Sequence, residues 1–297
     1  MREVLFDSRW RRALGVGALA LLLTTSCGSD DGANDATAET TTSITQAAAV
    51  SEPALTWTLP GTLAADFQEL QGAMRGRYGM AIMPVGGQRM ATFGNWTTGP
   101  AWSTMKVPLT IAAIRSDPAN GGFAANAAIT ESDNAAADVL WQALGSPQKA
   151  AAAVETVLRE GGATQTTVQA TRVRAEHSAF GQTEWSLAEQ VRFASRLPCL
   201  AQSATVMKLM EQIVPSHRWG LGVFPGAEFK GGWGPDTSGK YLVRQFGLIA
   251  TPSGQIAVAF AAQPDSGAFS DGMNALDKMA ALVSEHLGEL SAGRCAA

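Results

Sequence analysis

Three short stretches hold residue types able to do chemistry together. The first is Ser103-Thr104-Met105-Lys106, a hydroxyl and an amine three residues apart at the start of an apolar run that reads as a helix. At that spacing both side chains project from one helix face. The amine can then take the hydroxyl proton, provided burial or nearby positive charge depresses its pKa, while the helix N-terminus favours negative charge developing on the oxygen. The second is Ser132-Asp133-Asn134 at the head of another apolar helix, where all three residue types also suit a cap. The third is Lys230-Gly231-Gly232-Trp233-Gly234 at the end of a strand. Its glycines would let a ligand approach the backbone closely, and a strand ending in a turn would look the same. Singly, none of the three decides anything: a Ser and a Lys at this spacing occur by chance about once in a chain of this length.

The elements that must position these groups follow from periodicity. Apolar residues Leu63, Phe67, Leu70 and Met74 recur at helical spacing and predict a helix over 62–75. Two short strands follow, over 78–85 and 89–94, joined at Gly86-Gly87. Helices are expected over 103–115, 132–144, 148–160 and 186–197, with Ser132 and Ser146-Pro147 as starts and Gly145 and Gly161-Gly162 as stops. A further helix is expected near 204–213, then strands over 221–233, 241–250 and 255–262, and a closing helix over 271–287. Strands at both chain ends with helices between them imply one antiparallel sheet covered by helices.

In this order the three stretches resemble the Ser-x-x-Lys, Ser-Asp-Asn and Lys-Thr-Gly elements of the penicillin-recognising serine enzymes, the class A β-lactamases and D,D-peptidases. Gly94-Asn95-Trp96, Trp219-Gly220-Leu221-Gly222 and the strand beginning at Tyr241 resemble that family's surroundings too. The resemblance implies an α/β fold of the β-lactamase/transpeptidase type: a five-stranded antiparallel sheet flanked by helices, plus a reduced all-helical lobe. It implies Ser103 as acylated nucleophile, Lys106 as its base, Ser132 as proton shuttle to the leaving nitrogen, and Asn134 as holder of the substrate amide. Lys230 would hold Ser132 and a substrate carboxylate electrostatically, the backbone N–H groups of Ser103 and Trp233 would form an oxyanion hole, and Gly232 and Trp233 would bind substrate. Arg244 is a candidate second partner for that carboxylate, with an ordinary surface arginine as the alternative.

Three departures bear on activity. Only 29 residues separate Ser103 from Ser132, about half of what the resemblance implies, so helices of the lobe are expected to be missing and the cleft to be open. Gly231 stands where the family has a hydroxyl. The segment 165–171, where class A enzymes carry a Glu that activates the deacylating water, holds no acid, and Glu176 beside His177 is the nearest substitute. A serine acyl-enzyme hydrolase or transferase acting on a cell-wall peptide-like amide or ester, with weak or no β-lactamase turnover, is therefore expected. The competing expectation is a catalytically idle binder that grips an envelope peptide or glycan with Trp102, Trp219 and Trp233; core packing is the plainer role for Trp219.

The remaining sequence bounds partners and location. With 297 residues, 46% of them hydrophobic and 16% charged, the chain can bury one sizeable core. A net charge of -4 without a basic run past the N-terminus excludes nucleic acid as partner. No metal-ligating cluster and no phosphate-cradling glycine loop stands out, so no cofactor or metal is expected, and the protein is expected to be monomeric. Arg2, Arg9, Arg11 and Arg12 precede an apolar run over 13–23 that is too short to span a bilayer and reads as a signal peptide over 1–26. It ends in Thr24-Thr25-Ser26-Cys27, which resembles a lipobox and makes Cys27 the expected lipid anchor on the outer membrane face, plain secretion being the alternative. Residues 27–54 have linker composition, leaving 55–297 as the folded domain. In an oxidising compartment Cys199 and Cys295 are expected to pair, pinning the last helix, or else to be buried separately.

Overall fold

A computed structural model of the chain describes residues 61–118 and 121–296. The expected signal peptide, Cys27 and the tether all lie outside the described residues. Five strands form one antiparallel sheet: β1 (Gly76–Pro84), β2 (Ala91–Gly94), β3 (Glu228–Pro235), β4 (Tyr241–Thr251) and β5 (Gly254–Pro264). Their order is β2-β1-β5-β4-β3, so both chain ends contribute and β5 is central. The register sets Lys230 opposite Phe246, Gly232 opposite Arg244 and Trp233 opposite Val243.

Side-chain alternation along β4 assigns the two faces. Arg244 and Phe246 point to α6 (Leu187–Arg196), whose Phe193 stacks edge-on with Phe246 and Trp185 at 5.7–6.0 Å. Val243 and Gln245 point to α8 (Phe269–Glu285), where Gly272 lies so close that an added Cβ would meet Val243 Cγ2 at 2.4 Å. The central strand accepts helices on both faces because both are apolar and buried: Ala257, Ala259 and Ala261 lie on the α6 face, and Ile256, Val258 and Phe260 on the α8 face. Each core aromatic such as Phe193 or Phe246 contributes about 2–3 kcal/mol by burial. α1 (Leu63–Gly72) lies with α8 on the second face.

Between β2 and β3 the chain forms a helical lobe around α2 (Lys106–Ser116), with α3 (Gly121–Asn126), α4 (Asn134–Ala143), α5 (Pro147–Glu160) and α7 (Ala204–Glu211). Ser146 and Ser186 cap α5 and α6 as their positions imply, accepting from the backbone of Lys149 and Glu189. Two expectations are corrected. The strand expected over 221–233 starts at Glu228, because Gly220–Val223 is a 3-10 turn whose N–H groups are taken by side chains: Gly220 N donates to Asp277 Oδ1 at 2.6 Å and Leu221 N to Gln245 Oε1 at 2.9 Å. The helix expected from Ser132 starts at Asn134, capped by Asp133, which accepts from Ala136 N at 2.6 Å. Ser132 itself closes a π-helical turn, Ala127–Glu131, with φ 59° and ψ 30°.

Cys199 and Cys295 form a disulfide with Cα atoms 5.4 Å apart. It pins the tail beyond α8 and not the helix itself. That tail also makes a single antiparallel bridge to β5, Gly293 to Gln255.

Candidate active site

Ser103 sits in a 3-10 turn, Trp102–Met105, that runs directly into α2. The turn is held from below. Thr104 Oγ1 donates to Ala101 O at 2.5 Å and accepts from Gln190 Nε2 at 3.0 Å, and Gln190 Oε1 accepts from Arg244 Nη2 at 2.8 Å. Arg244 also donates to the carbonyls of Gly99, Pro100 and Trp185, each at 3.0 Å, and lies 5.0 Å over the Trp96 ring. Burial lowers its pKa to about 9, opposed by Glu184, so it remains charged at neutral pH. This corrects both expectations for Arg244. It faces no substrate and is no surface residue: it is fully buried, and its donors fasten the segment leading to the nucleophile.

Four of the expected residues converge beside that turn. Lys106, 1% exposed, donates through Nζ to Ser132 O, to Asn134 Oδ1 at 2.8 Å and, at 3.4 Å, to Ser132 Oγ. Lys230, on β3, donates to the same Ser132 Oγ at 2.8 Å and to Gly231 O at 2.9 Å. Ser132 thus bridges two amines, and its left-handed backbone is what turns both its carbonyl and its hydroxyl inward. Burial lowers the Lys106 pKa from 10.5 to about 7, opposed by the charges of Asp133 and Asp138. Burial, reinforced by Lys106, also drives Lys230 well below the usual lysine value. At neutral pH Lys106 is poised between charged and neutral forms; two N–H bonds to Ser132 O and Asn134 Oδ1 leave the neutral amine a lone pair. Among the described residues the Ser103 hydroxyl makes no hydrogen bond.

Strand β3 approaches the nucleophile turn closely. An added Cβ at Gly232 would lie 2.8 Å from the backbone nitrogens of both Ser103 and Thr104, and one at Gly234 would strike the Trp102 ring at 2.5 Å. Trp233 is half-buried at the cleft edge, stacked edge-on to His217 at 5.1 Å and tilted on Phe269 at 5.3 Å. Ser103, Ser132, Asn134, Trp233 and Tyr241 line a cleft of about 370 Å³ together with Asp138, Glu176 and His177. Among the described residues there is no cluster of His, Cys, Asp and Glu able to hold a metal ion, and no helix is long and apolar enough to cross a membrane.

No family model matches the chain, and no curated protein matches its sequence. Solved structures do match. A β-lactamase from Chitinophaga pinensis superposes with a TM-score of 0.64 at 16% identity, over 76% of this chain and 100% of that one. The class A β-lactamase from Mycobacterium abscessus gives 0.60 at 16%, over 76% and 99%. A β-lactamase from Burkholderia vietnamiensis gives 0.61 at 17%, over 78% and 98%. The fold is that of the class A β-lactamases.

Within a β-lactamase fold, the departures seen in the sequence acquire physical form. The space a side chain would fill at Gly231 is taken by Trp219, whose indole carbons lie 3.0 and 3.2 Å from an added Cβ. Trp219 is buried and packs on Trp233, as its plainer role implies. Over 165–171 the polypeptide is held by Glu189 of α6, which accepts from Gln165 N at 2.8 Å, and by Glu155 of α5, which accepts from Val168 N at 2.9 Å, so both acids bonded to that segment hold its backbone. Glu176 lines the cleft, but its carboxylate accepts from Arg174 Nε at 3.0 Å. A hydrogen bond from its own backbone, and then Arg174, hold it below the usual carboxylate range, which weakens it as a base. His177 and Asp138, which line the same cleft, carried no motif in the sequence; adjacency of His177 to Glu176 was the only signal.

Proposed function

We propose that the protein is an exported serine acyl-enzyme hydrolase or transferase that acts on a cell-wall peptide-like amide or ester, with weak or no β-lactamase turnover. The observation that carries this reading is the convergence of Lys106, Ser132, Asn134 and Lys230 on one hydroxyl-bridged cluster in the cleft that holds Ser103. Neutral Lys106 takes the Ser103 proton as the oxygen attacks the carbonyl. The Ser132 hydroxyl, in contact with both amines, passes a proton to the leaving nitrogen or oxygen. Asn134 orients the substrate amide, and the N–H groups of Ser103 and Trp233 receive the oxyanion, for which the close packing permitted by Gly232 is the structural support. Lys230, bonded to the Ser132 hydroxyl, favours in its charged form a substrate with a carboxylate near the scissile bond.

Lipid anchoring through Cys27 to the outer face of the cell membrane belongs to the same reading, and would keep the domain next to polymeric substrate. A second reading, an idle β-lactamase fold that binds an envelope peptide or glycan, is favoured by the Trp219 ring at Gly231 and by the engagement of Glu176 with Arg174. Intact-mass spectrometry separates the two. The domain is incubated with a β-lactam panel, an activated ester and a serine-directed phosphonate, beside Ser103→Ala. An adduct on the wild type alone is expected; no adduct from any probe on folded protein favours the binder.

A further inference from the structure

If Ser103 is acylated, water must lose a proton to some group in the cleft for the ester to be hydrolysed, and the cleft offers few. Lys230 is fully buried and bonded to Ser132, and Lys106, assigned to the Ser103 proton in acylation, is buried as well and does not line the cleft. Glu176 is paired with Arg174 at 2.9 Å, and Asp138 lies 3.7 Å from Arg172. His177 is different. Its ring stands edge-on to the indole of Trp102, the residue directly before Ser103, with centroids 5.0 Å apart and planes at 80°. Its Nε2 is buried without a hydrogen-bond partner, 3.7 Å from Glu176 Oε1. Nδ1 makes no hydrogen bond among the described residues and is not among the buried unpartnered atoms, so it is the nitrogen left open on a ring that lines the cleft.

We propose that His177, through Nδ1, is the base that activates water against the acyl group on Ser103, which makes the protein a hydrolase. The inference rests on the acyl-enzyme reading above. With the proton on Nε2 facing the Glu176 carboxylate, Nδ1 presents its lone pair to the cleft. Nδ1 takes a proton from water as the water oxygen bonds to the acyl carbon. The intermediate collapses by breaking the bond to Ser103 Oγ, which recovers a proton from the imidazolium, leaving the free acid and the resting hydroxyl. The imidazolium formed in between is opposed by Arg174 and favoured by Glu176, both on its own loop; Arg172, and Asp138 of α4, line the same cleft, and the buried amines Lys106 and Lys230 are bonded to Ser132 on its wall. Burial and Arg174 hold the His177 pKa below the ordinary 6.5, so the ring is neutral and competent at pH 7.

The test measures acylation and deacylation separately by intact mass, using an activated ester without ionisable groups, on wild type, His177→Phe and His177→Ala. The Phe variant keeps a ring against Trp102 and so preserves the packing. Both variants are expected to acylate at the wild-type rate and to deacylate on the order of 10²-fold more slowly. Added imidazole is expected to restore deacylation in the Ala variant only, which no merely structural role would allow. The wild-type deacylation rate should fall at low pH with a midpoint below 6.5, and His177→Phe should lose that limb. Wild-type deacylation rates in both variants overturn the inference and leave the acyl-enzyme reading intact; failure of every probe to acylate wild type overturns both.

Discussion

The pKa of Lys106 makes the acylation step a pH measurement. Its amine is buried against neutral acceptors, which brings the pKa to about 7. Only the neutral amine can take the Ser103 proton, so acylation must rise with pH through that value and level off above it. With a midpoint near 7, about nine-tenths of Lys106 is neutral at pH 8 and about one-hundredth at pH 5, so the rate should fall roughly 90-fold between them. The assay is single-turnover acylation by the uncharged ester, followed by intact mass at constant ionic strength. Asp138 raises this pKa, so Asp138→Asn should move the midpoint downward, and an ester carrying a carboxylate should move it upward by favouring the charged amine. A rate that stays flat from pH 5 to 8, or that declines as pH rises, would refute Lys106 as the base.

Other expectations concern the surroundings. Gly231→Thr should destabilise the domain by about 1–3 kcal/mol, because the new side chain must displace the Trp219 ring 3.0 Å away; chemical denaturation checks this, and co-substitution of Trp219 by Leu should recover most of the loss. Cys199→Ser should lower stability by up to about 4 kcal/mol, since the bridge closes a separation of 96 residues. Neither cysteine lines the cleft, so the acylation rate of the folded fraction should not change.

Much of this architecture is readable in the sequence for definite reasons. Ser146 and Ser186 announce helices because a cap hydroxyl is satisfied locally, and β4 and β5 announce themselves because strands buried on both faces must be apolar almost throughout. The turn at Gly220 was hidden because its N–H partners, Asp277 and Gln245, are distant in sequence. Helix α3 and the π-helical turn after it were missed because Gly121-Gly122 and Ala124-Ala125 carry no apolar period. Lys106, Ser132, Asn134 and Lys230 were legible from ordered motifs, whereas Arg244 misled: a strand arginine near a candidate site gives no sign in sequence of which face it takes. His177 lies on a loop, where no periodicity exists to mark it.

The site is also held against the stability of the fold, which bears on whether it works. Trp102 and Ser132, which flank its chemistry, both have left-handed backbones at a cost of about 1–2 kcal/mol each. Lys106 is a buried base with a depressed folded pKa, so the full penalty applies below about pH 7, where both states are charged, and it vanishes as pH rises toward 10.5. The fall from 10.5 to about 7 corresponds to roughly 5 kcal/mol, against the loss of the Lys106 donor to Ser132 O and Asn134 Oδ1, worth about 1–3 kcal/mol each in a variant that removes the amine. Lys106→Met should therefore gain stability relative to wild type as pH falls, by about 3 kcal/mol between pH 9 and pH 6, while acylation disappears. A difference that does not vary with pH, measured by urea unfolding, would show that the amine is not buried in its charged form. A surface that only grips a ligand has no need of an amine held near neutrality at such expense, whereas a base for Ser103 has need of nothing else.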